Sequence, residues 1–113
     1  EKYKIILNIF VEKYLRIGIH DCAICIWGMG TYGKQLFDIL AEYGMAPEYF
    51  GDNDVKKQGT KHREHICISL KQIKSKPKHN RFCIIVAISH YEEVFSQLKQ
   101  ELPNTDVKVL VLL

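Results

Sequence analysis

Two rhythms alternate along the chain. Continuous apolar runs at residues 22–27 and 82–88 have the length and β-branched content of strands covered on both faces. Around them, apolar residues recur every three or four positions, the spacing of a helix with one buried side. Residues 2–16 read this way, with Tyr3, Ile6, Leu7, Phe10, Val11, Tyr14 and Leu15 on one stripe. Residues 31–43 follow with Leu36, Phe37, Ile39, Leu40 and Tyr43, and Gly44 stops that helix. A third helix runs from Ser89 to about Gln100, with Val94, Phe95 and Leu98 inward and Ser89 and Glu92 spaced as a capping box. Residues 48–50 make a second strand, 55–65 a polar loop, and 65–68 a brief extended piece. Ser69 caps a short helix through Ile73, and 107–112 close the pattern as a last strand.

Strand, helix, strand, short helix, strand, helix, strand predicts an α/β domain: three layers around a mainly parallel sheet, preceded by an N-terminal amphipathic helix. The expected order is second, first, third, last strand, with the piece near residue 66 beyond the second. The division expected is a connector or docking helix at 1–20 and the α/β domain at 21–113.

The first strand runs straight into Gly28-Met29-Gly30-Thr31-Tyr32-Gly33, a G-x-G-x-x-G sequence that opens a helix. That order brings backbone N–H groups at a helix start close to a phosphate. Gly28 suits the turn, Gly30 leaves room for a diphosphate, and Gly33 lets the helix lie near the strand. The reading is therefore a Rossmann-like nucleotide-binding domain. Asp52 lies 24 positions after Gly28, near the spacing of a carboxylate that meets a ribose, with Asn53 and Asp54 beside it. Asp52 also suits an Asx turn leaving a strand. Ser89 and His90 follow the third strand and complete the ring of segments at the carboxyl ends. One mononucleotide half is present, so a mononucleotide or a nucleotide-sugar is easier to seat than a whole dinucleotide. No nucleophile–base–acid set is evident, and the chain is expected to bind rather than catalyse.

Composition narrows the alternatives. The chain has 113 residues, 47% hydrophobic and 26% charged, with a formal charge of +3, as in a globular domain. No apolar run is long enough to span a membrane. The opening Glu1-Lys2-Tyr3-Lys4 has no initiator Met or signal sequence, which points to a piece of a longer cytoplasmic protein. From Gly51 to Arg81, nine Lys or Arg face three acidic residues, a local +6, yet no aromatics interleave to stack bases, so nucleic acid is not expected. Cys22 and Cys25 have C-x-x-C spacing, but residues three apart in a strand point to opposite faces. With Cys67 and Cys83 they read as buried free thiols, and no set of histidines supplies a second zinc pair. The stripe of the first helix is a candidate surface for a homodimer.

The strand ending Ile26-Trp27-Gly28, the Thr31-Tyr32-Gly33-Lys34 turn, Tyr49-Phe50-Gly51-Asp52-Asn53-Asp54, Ile68-Ser69-Leu70 and Cys83-Ile84-Ile85-Val86-Ala87-Ile88 resemble one known family. The likeness is to the N-terminal domain of PglD-type sugar acyltransferases, with related modules in bacterial enzymes of surface-polysaccharide synthesis. It covers roughly residues 21–112. It implies a UDP-sugar as ligand, with Gly28, Gly30 and Gly33 toward the diphosphate and Asp52 toward the nucleoside, in a transferase whose catalytic domain lies elsewhere in the parent chain. Tyr32-Gly33 stands where the family usually has Gly-His, and the hexapeptide β-helix is absent. NAD(P) in an oxidoreductase fragment, CoA, and a scaffold that has lost its ligand remain open alternatives.

Overall fold

The strongest apolar run becomes the centre of the sheet. In the computed structural model, which describes residues 2–15, 22–77 and 81–110, β1 (Ala23–Trp27) pairs in parallel with β2 (Tyr49–Gly51) on one side and β5 (Phe82–Val86) on the other. Ile26 is in register with both Phe50 and Ile85. β4 (His65–Ile68) extends the sheet beyond β2, and β6 (Asp106–Val109) extends it beyond β5, both in parallel. The predicted order holds. One strand is added: β3 (Lys61–His62) pairs antiparallel with β4 inside the segment expected to be loop, giving the order β3-β4-β2-β1-β5-β6.

Helices cover both faces. α1 (Lys2–Phe10), continued by a π-helical turn at Val11–Leu15, and α2 (Thr31–Glu42) lie on one side. Leu7 of α1 and Val11 of the π-helical turn join Leu36, Phe37, Ile39 and Leu40 of α2 over Ile24, Ile26, Phe50 and Ile85. The first helix thus packs into this core, while Ile5 and Ile9 stay exposed on its outer side. The side chains of Tyr3, Tyr14 and Leu15, and residues 16–21 altogether, lie outside the described part of the structure. On the other face, α3 (Leu70–Lys74) and α4 (Tyr91–Glu101) place Ile73, Leu98 and Leu102 over Cys25, Trp27, Ile84 and Val86. Removing such side chains from water contributes about 2 kcal/mol each for Ile or Phe.

Three local expectations are corrected. The capping box belongs to Ser69 and Gln72 at α3, where both reciprocal bonds form (2.8 and 3.2 Å). Ser89 does not cap α4 with Glu92. The chain leaves β5 at Val86, turns at Ile88–His90, and His90 is the N-cap without a side-chain bond. Phe95 is only half-buried and belongs to neither core cluster among the described residues.

Candidate functional site at the glycine loop

β1 ends between two backbone clamps. The Gly28 N–H donates to the Gly51 carbonyl (2.7 Å), and the Ala87 N–H donates to the Trp27 carbonyl (2.8 Å). These draw the ends of β1, β2 and β5 together. Gly28 has φ +114, and a Cβ there would meet the Ile88 side chain and lie 2.9 Å from the Ala87 carbonyl oxygen. Both dihedral and space demand glycine. Gly33 is required by contact alone, because a Cβ would collide with the Gly28 carbonyl oxygen. The first and third glycines therefore hold the turn and seat α2 against it.

Gly30 differs. It is the N-cap of α2 in an extended conformation (φ −105, ψ −161) that any residue can adopt. Among the described residues, and neighbouring residues aside, the one heavy atom within 4 Å of where its Cβ would sit is Lys57 Nζ at 3.9 Å. α2 starts with no side-chain cap and no acidic residue in its first turn, and its first intrahelical bond runs from Lys34 N–H to the Gly30 carbonyl (3.0 Å). The positive end of the helix dipole thus opens beside an ammonium group. Thr31 is exposed and Tyr32 half-buried at this start. Met29 offers only its backbone, since its side chain is buried in the core next to the Thr60 hydroxyl (3.4 Å to Sδ).

Asp52 is joined to the loop. Its Oδ2 accepts from the Met29 N–H (3.0 Å) and lies 3.9 Å from Lys57 Nζ, while Oδ1 accepts from the Asp54 N–H (3.0 Å) as an Asx turn. Asp54 builds the next turn, its carboxylate accepting from Lys56 N–H (3.0 Å). Asn53 is turned to α4, donating to Gln97 Oε1 (2.9 Å). Residues 28–33, Asp52 and Lys57 therefore form one group. Asn53 and Asp54 shape its rim. Ser89 and His90 are exposed beyond Ile88 and, among the described residues, make no bond to the loop.

Lys57 is the residue that sequence reasoning passed over. Its signal was the basic stretch after Asp54, where nothing distinguished it from eight other cations. The turn places it: Lys57 N–H donates to the Asp54 carbonyl (3.0 Å), and its Nζ lies 3.9 Å from where a Cβ on Gly30 would sit.

A second polar cluster sits farther along α2. Arg63 donates through Nε and a terminal nitrogen to Asp38 (2.6 and 3.3 Å), and His62 Nε2 is 3.0 Å from the same carboxylate. The His62 ring meets Phe37 and Phe50 edge-on. Burial raises the Asp38 pKa, but the bonds from Arg63 and His62 outweigh it and hold this carboxyl below its ordinary value. Arg63 and Glu64, both at positive φ, form the two-residue turn of the β3–β4 hairpin. A cleft of about 250 Å³ beside Asp38 is lined by Lys4, Gln35, Ile39, Glu42 and Arg63.

The four cysteines are free, and Cys22 and Cys25 pack against opposite faces of the sheet as their spacing requires. Burial pushes the Cys67 thiol up to about 11 and that of Cys83 to about 12, so neither is a ready nucleophile. Among the described residues, no group of His, Cys, Asp or Glu is placed to hold a metal ion, and no helix is long and apolar enough to cross a membrane. The fold and site define a three-layer α/β domain with a mostly parallel sheet and an open glycine turn at its carboxyl edge. No protein-family model matches the chain, and no curated protein matches it.

Proposed function

We propose that this chain is a Rossmann-like module that binds a nucleotide or nucleotide-sugar through its phosphates, within a larger cytoplasmic bacterial enzyme of sugar modification. One observation carries the reading: the space at Gly30 lies between an uncapped helix start and the Lys57 ammonium. Backbone N–H groups aligned with a helix dipole, plus a nearby cation, are what a diphosphate needs. Asp52, at the adjoining strand end, is available to a sugar or ribose hydroxyl by giving up its bond from Met29 N–H. The ligand class rests on this chemistry. The UDP-sugar and the transferase setting rest on the motif resemblance, with binding here and catalysis in another domain.

A panel of UDP, UDP-sugars, TDP-sugars, CoA, NAD and NADP tests it by thermal shift. Binding to the folded state stabilises by RT ln(1 + [L]/Kd), about 2.7 kcal/mol at a hundredfold excess over Kd. Gly30→Val is the control, since φ −105 accepts valine and the nearest atom is the end of a flexible lysine. The variant folds and loses the shift. If valine leaves the nucleotide shift intact, the loop is not the site.

A scaffold reading has its own support. Asp52 Oδ2 already occupies the Met29 N–H and approaches Lys57, as a ligand oxygen would. On that reading Asp52→Ala lowers stability and no phosphorylated compound shifts the melting temperature.

A further inference from the structure

β6 is last in the sheet order, and among the described residues it pairs on one side only, with β5. Its register fixes which backbone groups remain. Val86 is partnered with Val109, and the Leu110 N–H donates to the Val86 carbonyl (2.9 Å). In a parallel ladder, alternate residues turn both backbone groups to the same neighbour. Asp106, Lys108 and Leu110 therefore serve β5. Val107 and Val109 direct their N–H and C=O groups away from the sheet.

Such an edge is a template for another strand. The charge pattern says which. Asp106 and Lys108 flank Val107 on one face of the strand, with Nζ and Oδ2 3.4 Å apart. An antiparallel copy centred on Val107 sets Asp106 opposite the partner's Lys108 and Lys108 opposite the partner's Asp106. The two valines become a pair exchanging both backbone bonds. The charged residues fall in the closer, non-hydrogen-bonded positions, where unlike charges stabilise. Centring on Asp106 or Lys108 instead puts like charges opposite, and a slip of one residue inverts the faces.

The helix beside this edge adds apolar surface. Gln97 and Glu101 of α4 point toward β2 and α3, where they bond Asn53 and Lys74. Phe95 is two residues from Gln97, about 200° around the helix, so it lies on the flank nearer β6. It is the half-buried aromatic that neither core cluster uses.

We infer that the β6 edge is the contact surface for a second copy of this chain, β6 pairing antiparallel with its counterpart about a two-fold axis at Val107. The sheet then runs unbroken through both copies. Sedimentation equilibrium of the whole chain tests this: at about 100 µM, the mass is twice the 13.2 kDa of one copy. Val107→Pro removes an outward N–H, which an edge strand tolerates, keeps an apolar side chain toward the core, and returns the mass to one copy with an unchanged far-UV spectrum. Asp106→Lys also gives single copies, and adding Lys108→Asp restores the dimer at least tenfold in affinity, a rescue that folding defects do not produce. A wild-type chain that stays single at this concentration overturns the inference. So does a dimer that survives Val107→Pro and Asp106→Lys, and a dimer lost on Ile5→Lys instead moves the interface to α1.

Discussion

α2 has polar groups at its start and along its outer face, and they behave in opposite ways. Along the outer face, Asp38 meets His62 and Arg63, each charge is answered, and the result is a clasp holding the β3–β4 hairpin. At the start, one carboxylate, Asp52, serves the Met29 and Asp54 N–H groups, while the uncapped helix end and Lys57 retain donor capacity. The clasp has more titratable groups, and the helix start beside the loop has no side-chain cap. The proposed function places the ligand at the second of these.

The comparison breaks most readily at Gly33, on which the loop's shape depends. Gly33→Ala drives a methyl into the Gly28 carbonyl oxygen and is expected to cost about 3 kcal/mol, measured by urea unfolding. Removing Lys57 should separate binding from folding. Lys57→Ala leaves the melting temperature of the free protein near wild type and weakens nucleoside diphosphate about tenfold, or 1.4 kcal/mol, in a calorimetric titration.

The smallest effect belongs to the clasp. Asp38→Asn is expected to cost about 0.5 kcal/mol, because the carboxylate is 37% exposed and solvent screens its pairing. Its folded pKa lies below the ordinary 3.8, so the stabilisation is present above that pH and is lost as pH falls through the folded value. The difference between wild type and Asp38→Asn in unfolding free energy should therefore vanish at strongly acid pH, while nucleotide affinity at pH 7 stays equal in the two.

The sheet was readable because its signals are long and redundant. The 22–27 and 82–88 runs are apolar without interruption, and β1 and β5 lie side by side in the interior of the sheet as two-sided burial demands. The β3 hairpin was not readable, since Arg63-Glu64 lacks the Asn-Gly or Asp-Gly that marks a turn with both central residues at positive φ. Here the Asp38 clasp and the His62 contacts with Phe37 and Phe50 hold a turn that local preference does not favour. Ser89 misled for a related reason: its spacing from Glu92 fits a capping box, but β5 stops two residues short of the predicted end, and the extra turn moves the cap to His90. At the loop, spacing anticipated that Asp52 lies beside Gly28–Gly33, but it also expected Ser89 and His90 there, which are exposed beyond Ile88, and it passed over Lys57. The bond from Met29 N–H to Asp52 and the approach of Lys57 depend on how the chain leaves β2, which spacing alone does not encode.

The most direct measurement is an amide NMR titration of the chain with UDP up to millimolar concentration. The largest shifts are expected on the N–H groups of Gly30, Thr31 and Tyr32, with smaller changes at Met29 as Asp52 releases it. Unmoved signals at these residues at saturation, or the largest changes at the Asp38 clasp, would contradict binding at the loop.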